Sequence, residues 1–183
     1  MRLFTAIDLS DEVRANIEEL QARLKPTAPI QWSPSSNLHI TTKFIGAWPE
    51  ARLEELQASL RAIPPVGPIE IRMRGVGWFA KGGTPHSFYV GAEAPPALYV
   101  LAKATDQAAN ALGVELESKP YTPHLTLARI RGQQPLDALR QAVKELEPLE
   151  LGSFSASRYH LYVSEPAQRG TIYTKLADFS LIP

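Results

Sequence analysis

The chain has 183 residues, 44% hydrophobic and 21% charged, enough for one domain or two small lobes with a buried core. Nineteen basic residues balance nineteen acidic ones, which argues against a protein that neutralises long stretches of phosphate backbone, so any nucleic-acid contact is expected to be local. Cysteine is absent, which removes disulfides, thiolate metal sites and thiol nucleophiles.

No apolar run approaches the roughly 20 residues of a bilayer span. Asp8, Asp11 and Glu12 interrupt the amino terminus before a signal-peptide core develops. A soluble, cytoplasmic protein without a membrane partner is the expectation.

In chain order, Leu3–Ile7 reads as a strand, and Asp8–Glu12 supplies capping residues for a helix to about Leu24 with Val13, Ile17, Leu20 and Leu24 on one face. Pro26 and Pro29 end it. A strand follows over about 38–45 with a turn at Gly46–Pro49, and Leu53, Leu56, Leu60 and Ile63 mark a second helix, stopped by Pro64-Pro65. Ile69–Met73 reads as a strand, and Gly75–His86 as an exposed, partly mobile joining loop. Phe88–Val90 reads as a strand and Pro95-Pro96 opens an Ala-rich helix to about Leu112. A strand spans Pro123–Ile130, Leu136, Leu139, Val143 and Leu146 mark a fourth helix, 149–164 holds one or two strands, and 171–179 adds a last one.

The order of elements repeats. His39 and His124 are 85 positions apart, and Leu53, Leu56, Leu60 and Ile63 advanced by 83 land on Leu136, Leu139, Val143 and Leu146. The chain is therefore expected to be an α+β protein made of two β-α-β-α-β units, about 1–78 and 86–183, forming a single two-lobed domain. Two antiparallel sheets would face a central cleft with helices outside. A pseudo-twofold axis would set equivalent residues opposite one another.

Each unit carries one short string, His39-Ile40-Thr41-Thr42 and His124-Leu125-Thr126-Leu127. Side chains alternate along a strand, so each His and the Thr two places on share a face. Either string alone fits a hydrogen-bonded histidine filling a sheet interface. Two at equivalent positions of a duplication point to one site with two imidazoles and two hydroxyls around something small and anionic. Histidine's reference pKa near 6.5 lets one imidazole give a proton while the other takes one. Threonine hydroxyls donate to phosphate oxygens without adding charge.

Other motifs are weak. No zinc string, Gly-x-Ser-x-Gly elbow or dinucleotide loop is present, and no cofactor is expected. His86 and His160 read as parts of an exposed sheet face. Regular alternation puts Lys43 on the face of His39 and Thr41, where it could attract phosphate, and aims Arg129 away from His124 unless a strand end or bulge re-aims it. Phe44, Trp32, Trp78 and Phe79 are candidates to stack a base, each also explicable as packing.

The strings Asn37–Gly46 (NLHITTKFIG) and Tyr121–Arg129 (YTPHLTLAR), with Arg2–Ile7 and Ser164-Glu165-Pro166, closely resemble the two-histidine phosphoesterase superfamily, and within it the RNA 2′,3′-cyclic phosphodiesterases, also called 2′-5′ RNA ligases. The resemblance spans nearly the whole chain. It implies a bilobal fold with the site between lobes and metal-independent hydrolysis of an RNA terminal 2′,3′-cyclic phosphate to a 2′-phosphate. In that reading His39 is the proton donor, His124 the acceptor, Thr41 and Thr126 hold phosphate oxygens and Arg129 lies near the substrate. Reversal, with a ribose hydroxyl replacing water, would ligate 2′-5′ linkages. Partners would be RNA ends or nucleotides bearing the cyclic phosphate, bound by a monomer. A related esterase on small nucleotides or 2′-5′ oligoadenylates, and a non-catalytic RNA-end binding module, stay open.

Overall fold

A computed structural model describes the whole chain, Met1–Pro183. Its elements are β1 (Arg2–Asp8), α1 (Asp11–Leu24), β2 (Gln31–Trp32), β3 (His39–Ala47), α2 (Leu53–Arg61), β4 (Ile69–Lys81), β5 (Thr84–Glu93), α3 (Pro96–Asn110), β6 (His124–Arg129), α4 (Asp137–Leu146), β7 (Glu150–Ala156), β8 (Arg158–Pro166) and β9 (Thr171–Ser180). Local chemistry sets the boundaries. Ser10 caps α1 by accepting from the Val13 N–H at 3.3 Å, with Asp11 and Glu12 in the positive first turn. Pro95-Pro96 opens α3 where missing N–H groups cost no helical bond.

Two antiparallel sheets form, ordered β3-β1-β8-β9 and β2-β6-β5-β4-β7. Apart from the two-residue edge strand β2, which the sequence pattern did not signal, the orders correspond strand for strand: β3 to β6, β1 to β5, β8 to β4 and β9 to β7. The α+β class and the paired sheets match the expectation. The halves of the sequence are nevertheless not the lobes of the structure. β2 and β4 come from the first half but lie in the second sheet, and β8 and β9 cross the other way. The helices cross too: α1 packs on β7 and α3 on β3, while α2 lies against α3 and α4 against α1. The result is one continuous core of 39 buried residues drawn from both sheets and all four helices.

The expected joining loop at Gly75–His86 is instead the body of a long hairpin. Gly82 and Gly83, at φ +57° and +81°, form the two-residue turn whose twist suits paired strands, and Val76–Phe79 pair with Val90–Ser87. The glycine content that suggested mobility has specific uses. A Cβ on Gly77 would collide with the phenol of Tyr89, so glycine lets that ring lie flat across β4.

Gly77→Ala is expected to destabilise the protein by about 1–3 kcal/mol, the cost of overpacking. Adding Tyr89→Ala should return most of the loss that Gly77→Ala causes. Denaturant melts of the two single variants and the double variant check this, and additive losses would contradict it.

Candidate active site

His39 opens β3 and His124 opens β6, one strand from each sheet. The His124 ring is anchored to the backbone just before its strand. His124 Nδ1 lies 2.7 Å from the Thr122 carbonyl, and because a carbonyl only accepts, Nδ1 carries the hydrogen and Nε2 keeps its lone pair in the neutral ring. On the other wall the Asn37 backbone, also two residues back, acts on His39 in the direction that raises its pKa.

Both strands then break register at the same place. Ala6 pairs with Thr41 but Thr5 with Lys43, leaving Thr42 as an extra residue. Tyr89 pairs with Thr126 but Phe88 with Ala128, leaving Leu127 extra. Each bulge directly follows the motif threonine and inverts the alternation beyond it. Residues four past each His, Lys43 and Ala128, turn inward and are buried. Residues five past it, Phe44 and Arg129, turn into the cleft. The exposure pattern over the first six residues is identical in the two strands. Side chains hold both bulges. Thr5 and Thr42 hydroxyls bond at 2.6 Å, and buried Gln21 donates to the Leu127 carbonyl at 3.3 Å and to the Ser33 carbonyl at 3.0 Å.

His39, Thr41, Phe44, His124, Thr126 and Arg129 line one cleft of about 90 Å³, bordered by Gln31–Pro34, Asn37, Gly170, Thr171 and Tyr173. The structure thus brings together every residue expected there except Lys43. Regular alternation had placed Lys43 on the cleft face. The bulge turns it away, and its ammonium is held by Asp106 at 2.8 Å, Glu117 at 3.3 Å and the Glu115 carbonyl at 2.9 Å. Arg129, by contrast, forms no ion pair and leaves its guanidinium free for an anion.

Aromatic rings box both imidazoles. Phe4 stacks on His39 at 4.8 Å with Tyr173 edge-on at 5.2 Å, and Phe79 and Tyr89 meet His124 edge-on at 4.8 and 5.4 Å. Tyr89 and Tyr173 carried no motif signal, and Phe4 only as a member of the Arg2–Ile7 string. The pairing of β1 and β5 with the two histidine strands is what would have found Phe4 and Tyr89, while Tyr173 comes from β9, two strands beyond β1. Among the stacking candidates Trp32 lines the cleft, whereas Trp78 is packed between Phe88 and the Arg140 guanidinium. His86 stands beside Phe79 and bonds Ser87, outside the cleft. His160 is buried rather than exposed, its Nε2 3.4 Å from Asp8.

The electrostatics of the two histidines differ. Burial drives His39 down to about 4, opposed by the Asn37 backbone and the charge of Asp8 and reinforced by Arg129 and His124. Burial also lowers His124, opposed by its Thr122 bond and reinforced by Arg129, with no carboxylate among the causes. Asp8 is the strand partner of His39. Burial pulls its pKa up, but bonds from Lys175 at 2.8 Å and the Tyr162 hydroxyl, with the charge of His160, leave it below the usual carboxylate value. Near neutral pH both rings are therefore neutral, and only His39 has an anion beside it. Nowhere in the molecule do three His, Asp or Glu side chains gather as a metal-ligand set.

Comparison with known proteins agrees with this geometry. A family model described as the 2′-5′ RNA ligase superfamily matches residues 8–167. A curated RNA 2′,3′-cyclic phosphodiesterase of Methanothermobacter thermautotrophicus is 32% identical over 99% of both chains. One of Thermus thermophilus is 32% identical over 99% of this chain and 90% of its own. Among solved structures, a Thermus thermophilus protein superposes with a TM-score of 0.83 at 31% identity, covering 99% of this chain and 98% of that one. E. coli LigT in its apo form gives 0.76 at 25% identity, covering 100% and 98%. With paired His-x-Thr strands facing one cleft and a family match across most of its length, the chain belongs to the 2′-5′ RNA ligase superfamily.

Proposed function

We propose that this chain hydrolyses the terminal 2′,3′-cyclic phosphate of RNA to a 2′-phosphate, with His39 and His124 as its acid and base. The observation that carries the reading is the symmetric pair of walls, each presenting an imidazole and its own threonine hydroxyl to one small cleft. The curated relatives named RNA 2′,3′-cyclic phosphodiesterase support the substrate class.

The cyclic phosphate sits between the walls, where Thr41 and Thr126 donate to its non-bridging oxygens and Arg129 offsets its charge. Neutral His124, with Nε2 free, takes a proton from water as the water oxygen bonds to phosphorus. On the opposite side the bond from phosphorus to O3′ breaks and protonated His39 gives that oxygen its proton. Atoms and charge balance, and the 2′-phosphate remains. Run backwards with a ribose hydroxyl in place of water, the same groups make a 2′-5′ linkage.

The assignment of His39 as acid draws support from Asp8. An anion beside one imidazole favours its charged form, and no equivalent anion stands by His124. Burial favours the neutral form of His39, and a phosphate anion held beside the ring raises its affinity for a proton taken from solvent. The phosphate anion replaces the stabilisation that water no longer supplies.

His39→Ala and His124→Ala should each lower turnover of a cyclic-phosphate-ended oligonucleotide by at least about 10²-fold with melting unchanged, the range of a positioned acid or base. Undiminished activity in either sinks the mechanism. In excess chelator the wild-type rate should hold, and a loss reversed by zinc would reject a purely His-based reaction.

The pH profile carries the third expectation. The pair needs one charged ring, and in the free enzyme both sit below their ordinary 6.5, so kcat/KM should peak on the acid side of that value. Asp8→Asn removes the anion that raises His39. The limb set by His39 then moves to lower pH whichever role it plays, and the height of the peak separates the roles. With His39 as acid the peak falls, because fewer molecules carry the shared proton on His39; a peak that does not fall would overturn the assignment.

A further inference from the structure

We propose that a second groove, opening from the catalytic cleft between β3 and α3, binds the single-stranded RNA segment leading to the cyclic phosphate. The proposal rests on the phosphodiesterase reading above and adds the part of the substrate that the small cleft cannot hold.

The catalytic cleft, at about 90 Å³, has room for a phosphate group and little more. Small-molecule sites generally occupy about 300–1,000 Å³. The adjoining groove, at about 380 Å³, lies in that range and shares Thr41, Phe44 and His124 with the cleft. A ribose whose cyclic phosphate lies between the histidines therefore has this space directly beside it.

The lining suits an RNA chain. Phe44 and Tyr99, 57% and 46% exposed, are among the few large apolar side chains the protein leaves in solvent, and both border this groove with Phe79. Every base has a π-face, so exposed rings bind single strands without regard to sequence. Lys103 and Lys119 lie in the same groove and make no ion pair, so both ammonium groups are available to phosphates. The two carboxylates present, Asp106 and Glu117, are the ones bonded to buried Lys43. Lys43 offsets one of their two charges, and with Lys103 and Lys119 three cations face two carboxylates, leaving the groove with one positive charge in excess. The Tyr121 hydroxyl donates to the Thr41 carbonyl at 2.8 Å, tying this wall to the catalytic strand. The zero net charge of the whole chain fits a grip on two or three nucleotides rather than a long strand.

The test compares a 2′,3′-cyclic mononucleotide with a short single-stranded oligoribonucleotide carrying the same end. Tyr99→Ala should raise KM for the oligonucleotide about fivefold, the low end for losing one stacked base. Lys103→Glu with Lys119→Glu should raise it about tenfold or more and flatten its salt dependence by about one unit of log–log slope. kcat, and both constants for the mononucleotide, should stay at the wild-type level, which also shows that the variants fold. Parallel shifts for both substrates, no shift for either, or equal wild-type KM for a blunt duplex end overturn the proposal. Fluorescence anisotropy with a 2′-phosphate-ended oligonucleotide separates the two readings. If wild type turns over no cyclic phosphate, the phosphodiesterase reading fails. The groove still stands if binding is lost in the lysine double variant, and falls if binding is unchanged there.

Discussion

The extra residue that follows each motif threonine is the constraint on which the site depends. A strand of unbroken alternation would aim His39, Thr41 and Lys43 into the cleft and turn Phe44 away. It would likewise direct Arg129 out of reach of anything held by His124. One inserted residue per strand reverses both outcomes and leaves an imidazole, a hydroxyl and a third group on each wall. The insertions need their own support, because a bulge leaves backbone groups outside the ladder. A Thr5–Thr42 hydroxyl bond provides it on one side and the amide of Gln21 on the other.

Gln21 belongs to α1, which follows a strand of the first sheet yet packs on the second. The helix that steadies the β6 bulge is thus covalently continuous with β1, the strand that partners β3. Because strands and helices are exchanged between the sheets, the two walls share a single core and cannot hinge apart without unpacking it. In the proposed reaction acid and base stand on opposite sides of a phosphorus atom, and such a core would hold that separation at no ordering cost.

Much of this was legible in the sequence. The repeat spacing, the helical faces of α1, α2 and α4 and the pairing of His39 with His124 all follow from period and arithmetic, because burial imposes period 3.6 on helices and period 2 on strands. What escaped depended on contacts between distant segments. The exchange of β4 and β8 leaves no local mark, since each strand is equally apolar in either sheet. Lys43 was misplaced because a bulge is invisible until its partner strand is known, although the possibility of one at Arg129 could be seen from spacing alone. Gly75–His86 looked like a loop because glycine commonly marks mobility. Here Gly77 makes room for Tyr89 and Gly82-Gly83 turns a hairpin.

Phe44 and Arg129 occupy equivalent positions five residues past the two histidines, yet one is an apolar ring and the other a cation. A site with perfect twofold symmetry is indifferent to direction, since a substrate rotated by half a turn meets the same groups. Duplication builds that indifference in, and divergence at this pair of positions, together with Asp8 standing beside His39 alone, removes it. Every 1.4 kcal/mol by which ring and cation prefer different ends of the ligand populates one orientation about tenfold over its reverse. Part of the polarity of the cleft is written in the mismatch between two residues that the fold treats as the same.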